Sequence, residues 1–170
     1  LQKSGGQTSN TELSETQLDF LQTVLSQDEK ARKELKAKGS GLKNVYVINE
    51  YLSNRLSNKQ AMIEQHQLSG ELAANSAKAV EYVAHLLWGI EKAGEYSSGA
   101  PALIVTCQIT LVDVKGRDIL KVKMIKGSVK NKRVSESNVT GPAPYGEIID
   151  YLQSLILIRN ASGRLVAFEG

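Results

Sequence analysis

Alternation of apolar and polar side chains over residues 103–124 restricts the fold of this chain more than any other feature. Leucine, valine, cysteine and isoleucine recur at every second position from Leu103 to Leu111. Successive side chains of a strand point to opposite faces, so a period of two indicates a long, half-buried strand. Turn-forming residues follow at 113–118, and beyond them apolar residues alternate with lysines. The segment is therefore predicted to be a β-hairpin with Lys121 and Lys123 on its solvent face.

Apolar residues recur at helical intervals near the start of the chain. The sequence Ser-Glu-Thr-Gln at 14–17 fits a capping box, and Leu18, Leu21 and Leu25 follow it at helical spacing. These signals predict a first helix over residues 14–37. Its second half is charged on nearly all sides, so we expect this helix to project from the body of the protein.

Helical spacing continues over residues 42–94 and predicts two or three further helices. The clearest part, 71–93, carries a wide apolar stripe with several alanines, which is typical of a closely packed helix. Within 42–69 an alternative stays open, because the β-branched run at 45–48 also fits a short strand.

The last third of the chain is predicted to combine a loop, a short helix and a hairpin. Residues 127–144 contain glycine, serine, asparagine, lysine and two prolines but few apolar anchors, so a mobile loop is expected there. Helical spacing over 145–152 predicts the short helix. The apolar runs 155–158 and 165–168, separated by a glycine-containing loop, predict a second hairpin. One helix running to residue 158 is the alternative.

Helices that precede strands along a chain predict an α+β fold, with helices on one face of an antiparallel sheet. The expected order is a flexible leader at 1–13, N-terminal amphipathic helices over 14–94, and a small antiparallel sheet region over 95–170. That sheet would consist of the two hairpins with the short helix between them. A chain of 170 residues has the length of about one domain, so both regions are expected to form one folded unit.

Composition excludes several classes of protein. The chain has no uninterrupted apolar run of about 18 residues, so no membrane-spanning helix is expected. A single cysteine, Cys107, cannot form an internal disulfide, which excludes a disulfide-stapled scaffold. That cysteine and two histidines supply few metal ligands, so no metal or other cofactor is expected. The compartment in which the protein works stays open.

Basic residues cluster in one stretch, although the whole chain carries a formal charge of only +3. Residues 115–133 hold eight lysines and arginines against Asp118 alone, a net charge of +7. With Thr106, Gln108 and Thr110 across the hairpin they would form a positive, polar surface that attracts phosphates. The polyanion-binding set predicted on this basis is Lys115, Arg117, Lys121, Lys123, Lys130, Lys132 and Arg133. A solvated face and a protein-binding face are the competing interpretations. Lysines on the solvent face of a hairpin discourage edge pairing, and the hairpin and loop lack an aromatic residue on which bases could stack.

No pattern in the chain points to catalysis. Cys107 falls on the apolar face of its strand, and His66 and His85 have no third ligand at metal spacing. The chain is therefore expected to be a non-enzymatic structural, assembly or adaptor protein whose helices bind a protein partner or a second copy. The expected partner-binding residues are Leu18, Leu21, Leu25 and Leu35. The alternatives are an accessory protein that binds nucleic acid or another polyanion through 115–133, and an enzyme of unrecognised type.

Overall fold

The computed structural model describes residues 16–17, 33, 37–53, 56, 61–130 and 140–169. Strands are the main regular structure in this part of the chain. Its strands and its complete α-helix are β1 (Ser40–Gly41), β2 (Val45–Tyr51), β3 (Tyr82–Glu95), β4 (Pro101–Asp113), β5 (Asp118–Lys126), α1 (Tyr145–Ser154), β6 (Leu155–Arg159) and β7 (Leu165–Glu169). No helix in these ranges is long and apolar enough to cross a bilayer.

The predicted α+β fold with N-terminal amphipathic helices is wrong. Residues 42–94, expected to form two or three helices, instead contain β2, β3 and three single 3-10 turns between them, at Gln65–Gln67, Gly70–Leu72 and Ala77–Ala79. The strand alternative at 45–48 is the correct one. Of the first predicted helix, 14–37, the structure describes only four helical positions, at 16–17, 33 and 37; the rest lies outside the described residues.

The helix predicted over 71–93 is wrong because strand β3 carries apolar residues on both faces. The strand lies between β2 and β4 in the sheet, so Leu86 and Trp88 are buried on one face. Val83 and Leu87, on the other face, are half-buried. A strand with apolar residues on both faces lacks the apolar–polar alternation and cannot be told from a buried helix by periodicity. Whether this segment forms a strand or a helix is decided by its neighbours in the sheet, which sequence spacing does not show.

One compact unit comprises residues 1–42 and 151–170. Its antiparallel sheet has the strand order β1-β6-β7, and Ile156 pairs with Phe168 in the β6–β7 ladder. The predicted second hairpin is thereby confirmed, as is the short helix before it. The alternative of one helix running to residue 158 is wrong, because the chain becomes extended at Leu155. Gly163, with a φ of 85°, allows the tight turn between the two strands.

The second compact unit, residues 43–150, holds a four-stranded sheet of order β2-β3-β4-β5. The β2–β3 pair is parallel and the other two pairs are antiparallel. The predicted hairpin of residues 103–124 is confirmed as β4 and β5. Parallel neighbours need a crossover connection, and residues 52–81 supply it with Ile63, Leu68 and Leu72 buried in the core.

Side chains of the sheet hold this crossover in place. Asn49 Oδ1 accepts hydrogen bonds from the Trp88 indole N–H at 2.9 Å and the Ile63 amide at 3.1 Å, while Asn49 Nδ2 donates to the Ile63 carbonyl at 2.9 Å. The Gln65 side chain accepts from the Val47 amide and donates to the Val45 carbonyl, at 2.9 and 2.6 Å. Gln65 therefore satisfies backbone groups along the outer edge of β2, which otherwise would be open to another strand.

Candidate protein-binding surface

A β-bulge in the β4–β5 hairpin determines which side chains of β5 meet the solvent. Val112 pairs with Ile119, but Leu111 pairs with Lys121, so Leu120 is an extra residue without a partner. A shift of one residue moves every later side chain to the opposite face of a strand. Val122 and the residues at alternate positions after it therefore point away from the core side of the sheet.

Cross-strand partners share a face, so the register of the ladders defines this second face. We call it the outer face; the opposite face, which carries Trp88 and Cys107, is the inner face. The outer face consists of three rows, each crossing all four strands from β2 to β5. These rows are Tyr46–Val83–Val112–Ile119, Ile48–His85–Thr110–Val122 and Glu50–Leu87–Gln108–Met124.

Large apolar side chains on the outer face are exposed at both of its margins. On β2, Tyr46 is 48% and Ile48 is 42% exposed; on β5, Ile119 is 59%, Val122 is 54% and Met124 is 48% exposed. Single exposed apolar residues are ordinary on a protein surface, whereas a contiguous set of them marks an interaction site. The outer face thus has two apolar margins separated by half-buried residues of the central strands.

A hydrogen-bonded histidine–carboxylate pair and a lysine–carboxylate ion pair interrupt this apolar surface. His85 Nε2 lies 2.6 Å from Glu50 Oε1, between β3 and β2. Farther along, Lys126 Nζ of β5 lies 3.0 Å from Glu91 Oε2 of β3, so the pair spans the intervening strand β4. Both pairs are partly solvent-exposed, and such pairs contribute little to stability. Glu50 and Glu91 therefore make the corresponding ends of β2 and β3 acidic, and Lys126 makes the neighbouring end of β5 basic.

Gly89 provides space at the end of the outer face. A Cβ atom at this position would lie 3.0 Å from Thr106 Oγ1 and 3.5 Å from Leu52 Cδ1. Leu52, which is 73% exposed, therefore reaches over the sheet beside a residue with no side chain. This contact extends the apolar margin of β2 beyond the end of the strand.

The structure divides the predicted polyanion-binding set. Lys115 and Arg117 are exposed in the β4–β5 turn, where Asp113 and Asp118 flank them. Lys121 and Lys123 are half-buried on the inner face, opposite Leu111 and Ile109. Lys130 follows β5 and is half-buried, whereas Lys132 and Arg133 lie outside the described residues.

The expected grouping of Lys121 and Lys123 with threonines across the hairpin is wrong. Thr110 pairs with Val122 and Thr106 with Lys126, so the threonines share the outer face with different residues. The bulge at Leu120 is the physical reason, because it reverses the orientation that plain alternation predicts. Sequence alternation alone does not predict which residues form the outer face. The β-branched run at 45–48 indicates a strand there, and this strand carries Tyr46 and Ile48 of the β2 margin.

The remaining candidate residues are a leucine set near the start of the chain, Cys107 and the histidines. The predicted partner-binding residues Leu18, Leu21, Leu25 and Leu35 lie outside the described residues. Cys107 is fully buried, as expected, and its removal from water raises the pKa of its thiol from 9.0 to about 12. His66 is exposed beside Glu64. Within the described ranges no three His, Cys, Asp or Glu side chains converge to hold a metal ion.

Comparison with known protein families, with curated proteins and with solved structures finds no match for this chain.

Proposed function

We propose that this chain is a non-enzymatic assembly or adaptor protein that binds another protein through the outer face of its four-stranded sheet. The observation that supports this most is the exposure of Tyr46, Ile48, Val122 and Met124 along two margins of one continuous face. Aromatic residues and methionine are enriched in protein interfaces, and a contiguous set of exposed apolar residues marks an interaction site. The outer face presents such residues along both margins, and the Lys126–Glu91 pair lies at its end.

The bulge at Leu120 supports the same function. Without it, Val122 would lie opposite Ile109 and Met124 opposite Cys107, on the inner face with the core. Bulges that re-aim side chains are common next to functional sites. Turning two large apolar residues toward water forgoes their burial in the core, and it completes the apolar margin that a partner would cover.

Polyanion binding through 115–133 is the second candidate, and the described residues favour it less. The exposed cations Lys115 and Arg117 are balanced within the turn by Asp113 and Asp118, so the net charge there is close to zero. Phosphate binding needs several cations that reach one backbone together, and Lys121 and Lys123 lie on the opposite side of the sheet from Lys126.

The proposed function is tested by placing a photoreactive phenylalanine analogue at position 48 or 122 of the full chain, produced in its native host. A matched control carries the analogue at exposed Lys78, which lies in the crossover and belongs to none of the rows of the outer face. We expect positions 48 and 122 to crosslink to a protein that mass spectrometry identifies. Binding of that protein, once purified, should weaken at least tenfold with Ile48→Lys and remain unchanged with Lys78→Glu. Crosslinking no stronger from 48 and 122 than from 78 would contradict the proposal.

A further inference from the structure

We propose that the occupant of the outer face is a second copy of this chain, bound face to face about a two-fold axis that runs parallel to the strands. This inference rests on the proposed function and adds the identity of the partner. In a two-fold interface, a residue i that contacts j of the other copy is matched by j contacting i. The outer face must therefore be complementary to itself, and its rows meet that condition.

An axis parallel to the strands and centred between β3 and β4 places β2 of one copy over β5 of the other, row by row. Tyr46 then faces Ile119 of the second copy, and Ile48 faces Val122. Each of these residues is exposed in the single chain. The apolar margin on β2 of each copy thus covers the apolar margin on β5 of the other copy, so the same contact forms once on each side of the axis.

An axis perpendicular to the strands is less favourable. Centred on the middle row, it would place His85 over His85 and Tyr46 over Glu50 of the second copy, so a carboxylate would be covered by an aromatic ring without a new cation. Glu50 would then leave water with His85 as before but with no added cation, and burying a charge is costly unless it is well paired. The parallel axis instead places Glu50 over Met124, one row from Lys126 of the second copy. The acidic end of β2 then meets the basic end of β5.

The size of the face predicts a weak dimer. With strands ~4.8 Å apart and a rise of ~3.3 Å per residue, four strands over the length of β2 cover about 400 Å² on each copy. Stable complexes bury about 1,200–2,000 Å² in total, and smaller interfaces belong to transient pairs. We therefore expect a dissociation constant of about 1 μM or weaker, and reversible dimerisation that depends on protein concentration.

Crosslinking between two different single-cysteine additions tests this arrangement directly. One full-length chain carries Ile48→Cys and the other Val122→Cys; Cys107 stays in place because it is fully buried. Facing sheets lie ~10 Å apart, farther than a disulfide spans, so a short bismaleimide is the appropriate crosslinker. We expect the mixture to form covalent dimers at least five times faster than either chain alone. Adding Tyr46→Lys to both chains should abolish the crosslink.

Two other crosslinking results would overturn the proposed arrangement. Rapid crosslinking of the Ile48→Cys chain with itself would overturn the parallel axis, because that axis places the two 48 positions on opposite sides of the interface. No crosslink in the mixture at several hundred micromolar protein would overturn the dimer. The photocrosslinking experiment separates the two proposals. Labelling of a different protein from positions 48 and 122 would retain the proposed function and exclude the second copy. Labelling of the same chain would support both proposals.

Discussion

Leu111 lies opposite Lys121 in the β4–β5 ladder, and not opposite Leu120, as uninterrupted alternation would place it. This one-residue offset has two consequences. It places Lys121 and Lys123, half-buried, on the core side of the sheet, and it exposes Val122 and Met124 on the outer face. The orientation of a whole strand, and with it the candidate binding surface, depends on a single bulge.

Threonine substitutions on the two faces test the bulge. Val122→Thr and Val105→Thr make the same isosteric change, but Val122 is exposed on the outer face and Val105 is buried on the inner face. We expect Val122→Thr to change the free energy of unfolding by no more than about 0.5 kcal/mol. Val105→Thr should lower it by about 1–3 kcal/mol, because a hydroxyl is buried. Urea denaturation measures both. Equal losses would mean that Val122 is also buried and that the bulge is absent.

Asn49 is expected to be the polar residue on which the crossover most depends. Asn49→Ala leaves the Trp88 indole N–H and both backbone groups of Ile63 without their partner. Each buried polar group left unsatisfied costs about 1–3 kcal/mol, so the free energy of unfolding should fall by at least about 2 kcal/mol. Exposed Asn75 provides the control, since Asn75→Ala should have almost no effect. A loss at Asn49 no larger than at Asn75 would show that these hydrogen bonds do not stabilise the fold.

Two glycines should respond in opposite directions to alanine. At Gly141 a Cβ atom would overlap the carbonyl oxygen of Ser128, so Gly141→Ala should lower the melting temperature. At Gly146, in α1, a Cβ atom meets nothing within 4 Å. Gly146→Ala should therefore raise the free energy of unfolding by about 0.5–1 kcal/mol through helix propensity. Differential scanning calorimetry of both variants is sufficient; destabilisation at Gly146 would contradict the open surroundings of that residue.

Because Cys107 is buried, we expect the protein to lose stability at alkaline pH. Burial raises the pKa of its thiol from 9.0 to about 12, so the folded protein keeps the thiol neutral where the unfolded chain has lost the proton. The stabilising contribution is complete below pH 9 and is lost as the pH rises toward 12. Between about pH 8 and pH 10.5 the wild type should lose about 1–2 kcal/mol more than Cys107→Ala, as measured by urea denaturation. Parallel pH profiles for the two proteins would show that the thiol is accessible to water.

Binding to nucleic acid is expected to be weak and lost at physiological salt, because the exposed cations of the β4–β5 turn are balanced by aspartates. Fluorescence anisotropy of a labelled oligonucleotide over a salt series measures this. Binding that persists at physiological salt and disappears with Lys115→Glu and Arg117→Glu would favour the polyanion hypothesis over the protein-binding one.

Local sequence patterns are sufficient to predict an element when a turn and the residues that flank it specify the element together. Both hairpins and α1 are of this kind, since each is specified within a short stretch of chain. Strand β3 was not predictable, because its partner β2 lies beyond a crossover of thirty residues and its two faces are both apolar. The outer face was not predictable either: Val122 alternates as a core residue would, and only the unpaired Leu120 turns it outward.

Sedimentation equilibrium of the full chain is the most direct test of the claim that the outer face associates with a second copy. We predict that the wild-type chain shows a reversible monomer–dimer equilibrium up to several hundred micromolar. The double variant Ile48→Thr/Val122→Thr, once circular dichroism has shown that it is folded, should remain monomeric over the same range of protein concentration. A wild-type chain that stays monomeric at the highest concentration, or a double variant that dimerises equally well, would contradict this account.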